Sequence, residues 1–83
     1  MKTLVITPTY NERKNIQNFI DKIFDVNPEL HLLIIDDNSP DKTYDIVTEM
    51  SLKNSNIFLI KRPRKNGLGT AYLEGFEWAI KKE

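Results

Sequence analysis

The order of apolar segments predicts an α/β fold: a parallel three-stranded sheet in spatial order 3-2-1, with helices on its faces in three layers. Two observations carry that expectation. Short β-branched runs alternate with segments of helical periodicity in the order βαβαβα, and parallel neighbours joined by helical crossovers follow from such alternation. The second run, Leu32-Leu33-Ile34-Ile35, is apolar at every position, as a strand covered on both faces must be.

Leu4-Val5-Ile6 reads as the first strand, closed by Thr7-Pro8. From Asn11 the pattern turns helical, with Ile16, Phe19, Ile20, Ile23 and Phe24 on one face, and Asn27-Pro28 ends that helix. Strand two closes on Asp36-Asp37. The turn cluster Asn38-Ser39-Pro40-Asp41 can cap a second helix carried by Ile46, Val47 and Met50. Ile57-Phe58-Leu59-Ile60 is strand three. After a basic loop, helix three places Leu68, Ala71, Tyr72, Gly75, Phe76, Ala79 and Ile80 on one stripe. Gly75 costs that helix roughly 1 kcal/mol relative to alanine, which points to close packing on the sheet. Trp78 falls off the stripe, toward a partner outside this set of elements. Ile6, Leu33, Ile34 and Leu59 are the expected sheet core. Strand one keeps an open edge, which predicts weak stability or self-association through that edge.

With 83 residues the chain makes one small domain, of a size that buries only about 60% of its unfolded surface, so a complete enzyme is not expected. Twelve basic residues balance twelve acidic ones, which argues against a general nucleic-acid binder. The absence of cysteine excludes disulfides, thiolate metal sites and a cysteine nucleophile. No apolar run reaches the length of a signal peptide or the ~20 residues of a membrane span, and cytoplasmic residence is the expectation.

Ligands of such sheets bind beyond the carboxyl ends of the strands, which gathers Pro8 to Glu12, Asp36 to Asp41 and Lys61 to Gly69 on one rim. Asp36 and Asp37 cannot both point the same way, because side chains alternate faces. Both can serve turn N–H groups, or Asp37 can accept N–H bonds from a nucleobase edge. Thr9 and Glu12 fit a capping box for helix one; alternatively Glu12 accepts a ribose hydroxyl beside the flat Tyr10 ring. Lys61-Arg62-Pro63-Arg64-Lys65 holds four cations in five residues, either simply solvated or, with Gly67-Leu68-Gly69 at a helix start, arranged toward phosphate oxygens. The dinucleotide fingerprint is absent, since Tyr72 stands where its last glycine belongs, and the P-loop spacing is absent too. His31 has no companion at ligand spacing and reads as structural.

Taken in order, Pro8-Thr9-Tyr10-Asn11-Glu12-Arg13, Ile34-Ile35-Asp36-Asp37-Asn38-Ser39-Pro40-Asp41 and Gly67-Leu68-Gly69-Thr70-Ala71-Tyr72 resemble the opening motifs of family 2 glycosyltransferases of the GT-A fold, a Rossmann-like nucleotide-sugar-binding architecture. Gly75 and Phe76 add a likeness to the dolichyl-phosphate (polyprenyl-phosphate) mannosyltransferase branch. The resemblance implies that residues 1–83 are the N-terminal, incomplete nucleotide-binding part of such a domain. By it, Pro8, Tyr10 and Glu12 contact the nucleoside and Ile35 and Asp37 complete the base pocket, with Asp36, Arg64 and Lys65 as weaker candidates. It implies transfer of mannose from GDP-mannose to a polyprenyl phosphate with inversion, by a complete protein peripheral on the cytoplasmic face of a membrane. It also implies Mg²⁺ or Mn²⁺ on an Asp-x-Asp motif. No Asp-x-Asp occurs in these 83 residues, so the chain alone is expected to be inactive and supplies no catalytic residue and no metal ligand.

Two other classes stay open. A receiver-like phosphotransfer domain needs an aspartate at the end of strand three, where Lys61 stands. A non-catalytic nucleotide-binding or interaction module fits the same rim, as does a family 2 enzyme for another nucleotide-sugar or acceptor.

Overall fold

The computed structural model describes residues 3–63 and 68–82. Its elements follow the expected order: β1 (Leu4–Thr9), α1 (Ile16–Val26), β2 (His31–Asp36), α2 (Thr43–Lys53), β3 (Ile57–Lys61) and α3 (Leu68–Lys82). All strands are parallel, β2 lies between β1 and β3, and the register pairs Leu4 with His31 and Leu32 with Ile57.

Side-chain alternation along these strands divides the core in two. Val5, Leu32, Ile34, Ile57 and Leu59 meet Ile16 and Ile20 of α1 and Val47 of α2 on one face. Leu4, Ile6, Leu33, Ile35, Phe58 and Ile60 meet Ala71 and Trp78 of α3 on the other. Leu32 to Ile35 are completely buried, as an apolar run between two layers should be. Ile6 and Leu59, expected beside them in the core, are only half-buried because they stand on the two outer strands.

β1 is longer than its apolar run suggests and continues through Pro8 to Thr9. The N–H of His31 donates to the carbonyl of Thr3 and that of Asp37 to the carbonyl of Thr9. Odd-numbered backbone groups of β1 therefore face β2, and those of Leu4, Ile6 and Pro8 face the open edge. Proline is tolerated there because the missing N–H would have pointed away from the sheet.

Two expectations about the helices are corrected. The capping box does not form: α1 begins at Ile16, its preceding Asn15 makes no side-chain cap, and the Thr9 hydroxyl donates instead to the buried Asp36 carboxylate. Phe19 lies toward β1, beside Thr7, Pro8 and Thr9, and is partly exposed. In α3 the inward face is Ala71, Gly75 and Trp78, whereas Leu73, Phe76 and Ile80 are exposed. Trp78 needs no external partner, since its ring packs on Phe58 with centroids 5.0 Å apart. Gly75 explains the rotation. A Cβ there would lie 2.7 Å from Cγ2 of Ile6 and 3.2 Å from Cδ1 of Ile35, so the helix backbone comes down on the sheet at that point and the larger residues flank it. The ring of His31 also packs on Phe58.

Candidate functional site

The carboxyl ends of β1 and β2 are fastened by side chains rather than by helix caps. After β1 the backbone bends through Asn11 at φ 55°, in the left-handed region that asparagine tolerates best among residues with a Cβ. The next three N–H groups are taken up by the loop after β2. Asn11 N–H donates to Ser39 Oγ, Glu12 N–H to Thr43 Oγ1 and Arg13 N–H to Asp41 Oδ2, at 2.9–3.0 Å. The Arg13 guanidinium donates to the carbonyls of Asp41 and Lys42. Asp41 also accepts from the N–H and hydroxyl of Thr43 at the start of α2. Desolvation works against its ionisation, but the bonds from Thr43 and from the Arg13 N–H, with the Arg13 charge, together outweigh it and hold its carboxyl below the usual aspartate range.

The two carboxylates at the end of β2 part company as alternation requires. Asp36 turns to the α1/α2 side, fully buried, and accepts from Thr9 Oγ1 at 2.7 Å, Ser39 Oγ at 2.6 Å and Ser39 N–H at 2.8 Å. Every one of those donors belongs to the rim itself, so Asp36 is a fastening between the two loops. Asp37 turns to the α3 side and meets Arg62, whose Nε and Nη2 donate to Oδ1 and Oδ2 at 2.5 and 2.9 Å. Both side chains are nearly buried, at 8% and 3% exposure. Hydrogen bonding to Asp37 raises the guanidinium's pKa above its ordinary value against an opposing desolvation, and the charges of Asp37 and Glu74 add to the rise.

Of the residues named from sequence, Pro8 and Ile35 are register partners, and Asp37 is joined to the end of β1 through its N–H bond to Thr9. Tyr10 follows directly and is 37% exposed. Glu12 is exposed, and with Thr7, Pro8, Asn15, Ile16 and Phe19 it lines a pocket of about 290 Å³ beside the open β1 edge. Pro8, Tyr10, Glu12, Ile35 and Asp37 thus lie on one end of the sheet. Arg64 and Lys65 lie outside the described residues.

The basic loop is not uniformly solvated. Lys61 Nζ sits 3.8 Å from the centroid of the Tyr44 ring, and Arg62 is buried. Sequence reasoning passed over Arg62, although a signal existed: Lys61 pairs with Asp36 in register, so the next residue falls beside Asp37 with the opposite charge. Thr9 was equally legible as the register partner of Asp36.

Among the described residues no three His, Cys, Asp or Glu side chains come together as a metal site. Asp36 and Asp37 are engaged by Thr9, Ser39 and Arg62. No helix among the described residues is long and apolar enough to cross a membrane.

A parallel sheet with its polar clusters at the strand ends belongs to the α/β class, in which ligands bind on that rim. The chain belongs to glycosyl transferase family 2, whose profile matches residues 4–82. It is 40% identical over 82 residues to polyprenol monophosphomannose synthase of Mycolicibacterium smegmatis, covering 98% of this chain and 31% of that protein. It is 35% identical to undecaprenyl-phosphate mannosyltransferase of Micrococcus luteus, covering 99% and 34%. Dolichol-phosphate mannosyltransferase of Pyrococcus furiosus is 37% identical, with 95% and 23% covered. The chain therefore spans about a third or less of the length of these relatives. Among solved structures, the mannosyltransferase PcManGT from Pyrobaculum calidifontis, in complex with GDP-Man and Mn²⁺, superposes with a TM-score of 0.80 at 23% identity, over 92% of this chain and 24% of that one. That likeness establishes the GT-A fold.

Proposed function

We propose that this chain is the nucleoside-binding part of a glycosyltransferase that moves mannose from GDP-mannose to a polyprenyl phosphate. The observation that carries the reading is the Asp37 carboxylate, held at the rim beside the end of β1, with Tyr10 and Glu12 on the adjoining loop. Three relatives named for mannosyl transfer to polyprenyl phosphates, or for its product, support the choice of sugar and acceptor.

In this reading Asp37 accepts an N–H bond from the guanine edge on a position that Arg62 leaves open. Pro8 borders the base, and Tyr10 lies against the base or ribose. Ile35, its side chain wholly buried beneath α3, contributes through its backbone. Glu12 accepts a ribose hydroxyl. Its side chain is available, since the helix end it was expected to cap begins later in the chain and the loop is tied down through its backbone N–H. Arg64 and Lys65, outside the described residues, are the weaker candidates for the nucleotide-sugar. An oxygen of the polyprenyl phosphate attacks the anomeric carbon as the bond to GDP breaks, which inverts that centre, and the acceptor, already an anion, has no proton to lose. A divalent cation bound by residues outside these 83 would neutralise the departing diphosphate. Positioning of donor and acceptor can be worth on the order of 7 to 11 kcal/mol of a barrier, so the 83-residue chain alone is expected to bind nucleotide weakly and to transfer nothing.

The test is a titration of the chain with GDP, UDP and acetyl phosphate, followed by amide chemical shifts. Guanine-selective shifts at Thr9 to Glu12 and Ile35 to Asn38 are expected. Equal responses to all three compounds, or responses elsewhere, would leave a family member with another donor or a non-catalytic module.

A further inference from the structure

We infer that Thr43 and Ser39 are positioning residues for the ribose contact: acting on backbone N–H groups, their hydroxyls set the direction in which Glu12 leaves the rim. The inference rests on the reading of Glu12 given above and extends it to two buried side chains behind the loop.

A carboxylate on a loop serves a ligand well only if the loop is already held, because ordering it on binding costs affinity. Every residue from Tyr10 to Asn15 is exposed, so side-chain burial does not hold this loop. Hydrogen bonds hold it instead, and Glu12 is fixed at both of its backbone groups. Its N–H donates to Thr43 Oγ1 at 2.9 Å, and its carbonyl accepts from the N–H groups of Asn15 and Ile16 at 2.9 and 2.8 Å. The Cα–Cβ bond of Glu12 is thereby held in one direction, while the carboxylate itself stays on the exposed side of the loop.

Thr43 is suited to this by more than its position. It is fully buried, and its hydroxyl hydrogen goes to Asp41 Oδ1 at 2.5 Å, so what it turns to Glu12 is a lone pair. Ser39 repeats the arrangement one residue earlier in the loop. Its buried hydroxyl donates to Asp36 Oδ1 at 2.6 Å and accepts from Asn11 N–H at 3.0 Å. In both relays a carboxylate polarises the hydroxyl and strengthens it as an acceptor. Asn11 is the residue that bends the chain at φ 55°, so the two hydroxyls hold the bend and the residue that follows it. Valine at position 43 would fill similar space but could neither donate to Asp41 nor accept from Glu12; serine could do both.

The experiment compares GDP with 2′,3′-dideoxy-GDP, which lacks both ribose hydroxyls. The 83-residue chain is titrated beside its Glu12→Ala, Thr43→Val, Thr43→Ser and Ser39→Ala variants. Affinity is followed by amide shifts at Ile35 to Asn38, and folding by amide dispersion. The parent chain is expected to prefer GDP by about tenfold or more, the worth of one hydrogen bond to a charged group. Glu12→Ala and Thr43→Val should each bring the two nucleotides within about threefold of each other as that bond is lost. Ser39→Ala should narrow the preference partway, and Thr43→Ser should keep it. A general loss of fold lowers both affinities together, so their ratio reads the ribose contact. An unchanged ratio in folded Thr43→Val overturns the inference and leaves the Glu12 reading intact, as does a ratio lost equally in folded Thr43→Ser. If Thr43→Val does not fold, an unchanged ratio in Ser39→Ala overturns it. A parent chain without the preference, or a preference that survives Glu12→Ala, overturns the inference together with the Glu12 reading.

Discussion

Asp36 and Asp37 are adjacent in sequence and both buried, yet their partners differ in kind. Asp36 is satisfied by a hydroxyl from β1 and by the N–H and hydroxyl of Ser39, all neutral groups of the rim. Asp37 faces a single cation that occupies one edge of the carboxylate. The first arrangement uses a charge to join two loops; the second pairs a buried charge with its opposite. Neighbouring carboxylates at the end of one strand thus take partners of different kinds, because alternation sends them to opposite layers.

Substitution should break that pairing of roles unequally. Asp36→Ala leaves three buried donors without an acceptor, and a loss on the order of 3–5 kcal/mol is expected. For a domain of this size that is enough to populate the unfolded state, visible as collapsed amide dispersion. Asp37→Leu alone strands the Arg62 charge and should cost about 3–5 kcal/mol. The double variant Asp37→Leu/Arg62→Met should recover most of that loss, since apolar replacement of a buried pair is often near neutral. Urea midpoints of the three variants check this. Failure of the double variant to recover would show that the ion pair stabilises the fold beyond what apolar packing can replace.

The two faces of the sheet offer a second contrast. α1 and α2 cover theirs with large aliphatic side chains, and α3 covers its face through a glycine. Gly75→Ala gains roughly 1 kcal/mol of helix propensity but drives a Cβ against a branched methyl of Ile6, with an overpacking cost of about 1–3 kcal/mol. A net loss of about 1 kcal/mol is expected, and Ile6→Ala should cost less in the Gly75→Ala background than in the parent. The exposed Leu73, Phe76 and Ile80 and the open β1 edge leave the expected self-association to be measured. Sedimentation should show mass rising with concentration in the parent, and Phe76→Lys/Ile80→Glu should suppress the rise without lowering the melting temperature. A parent that stays monomeric at all concentrations would remove that expectation.

What the sequence disclosed and what it hid follow one physical division. Strand order, parallel pairing, the two-sided burial of Leu32 to Ile35 and the opposed directions of Asp36 and Asp37 were legible because they depend on periodicity. The start of α1 was not. Thr9 and Glu12 matched a local capping pattern, but the N–H groups of Asn11, Glu12 and Arg13 are satisfied by Ser39, Thr43 and Asp41, some thirty residues along the chain. Local chemistry proposed a cap and a long-range network took its place. Arg62 escaped for a similar reason, since its burial depends on register with a residue 25 positions away.

The smallest expected effect concerns that same network and tests it by pH. Asp41 is at the solvent-facing end of the lock, where its carboxylate accepts from Arg13 N–H on one oxygen and from Thr43 on the other. Its folded pKa lies below the ordinary value of 3.8, so the folded chain binds this proton less readily than the unfolded chain. The stabilisation is therefore complete above the ordinary value and is lost as pH falls through the folded one. In Asp41→Asn one amide oxygen still accepts but the charge and the second acceptor are gone. The parent should melt slightly higher than this variant at neutral pH, and the gap should close as pH is lowered from about 5 toward 2. A gap independent of pH would show that the lock needs Asp41 for its shape and not its charge, which would make the outer end of the network resemble the buried Asp36 end less than the hydrogen bonds imply.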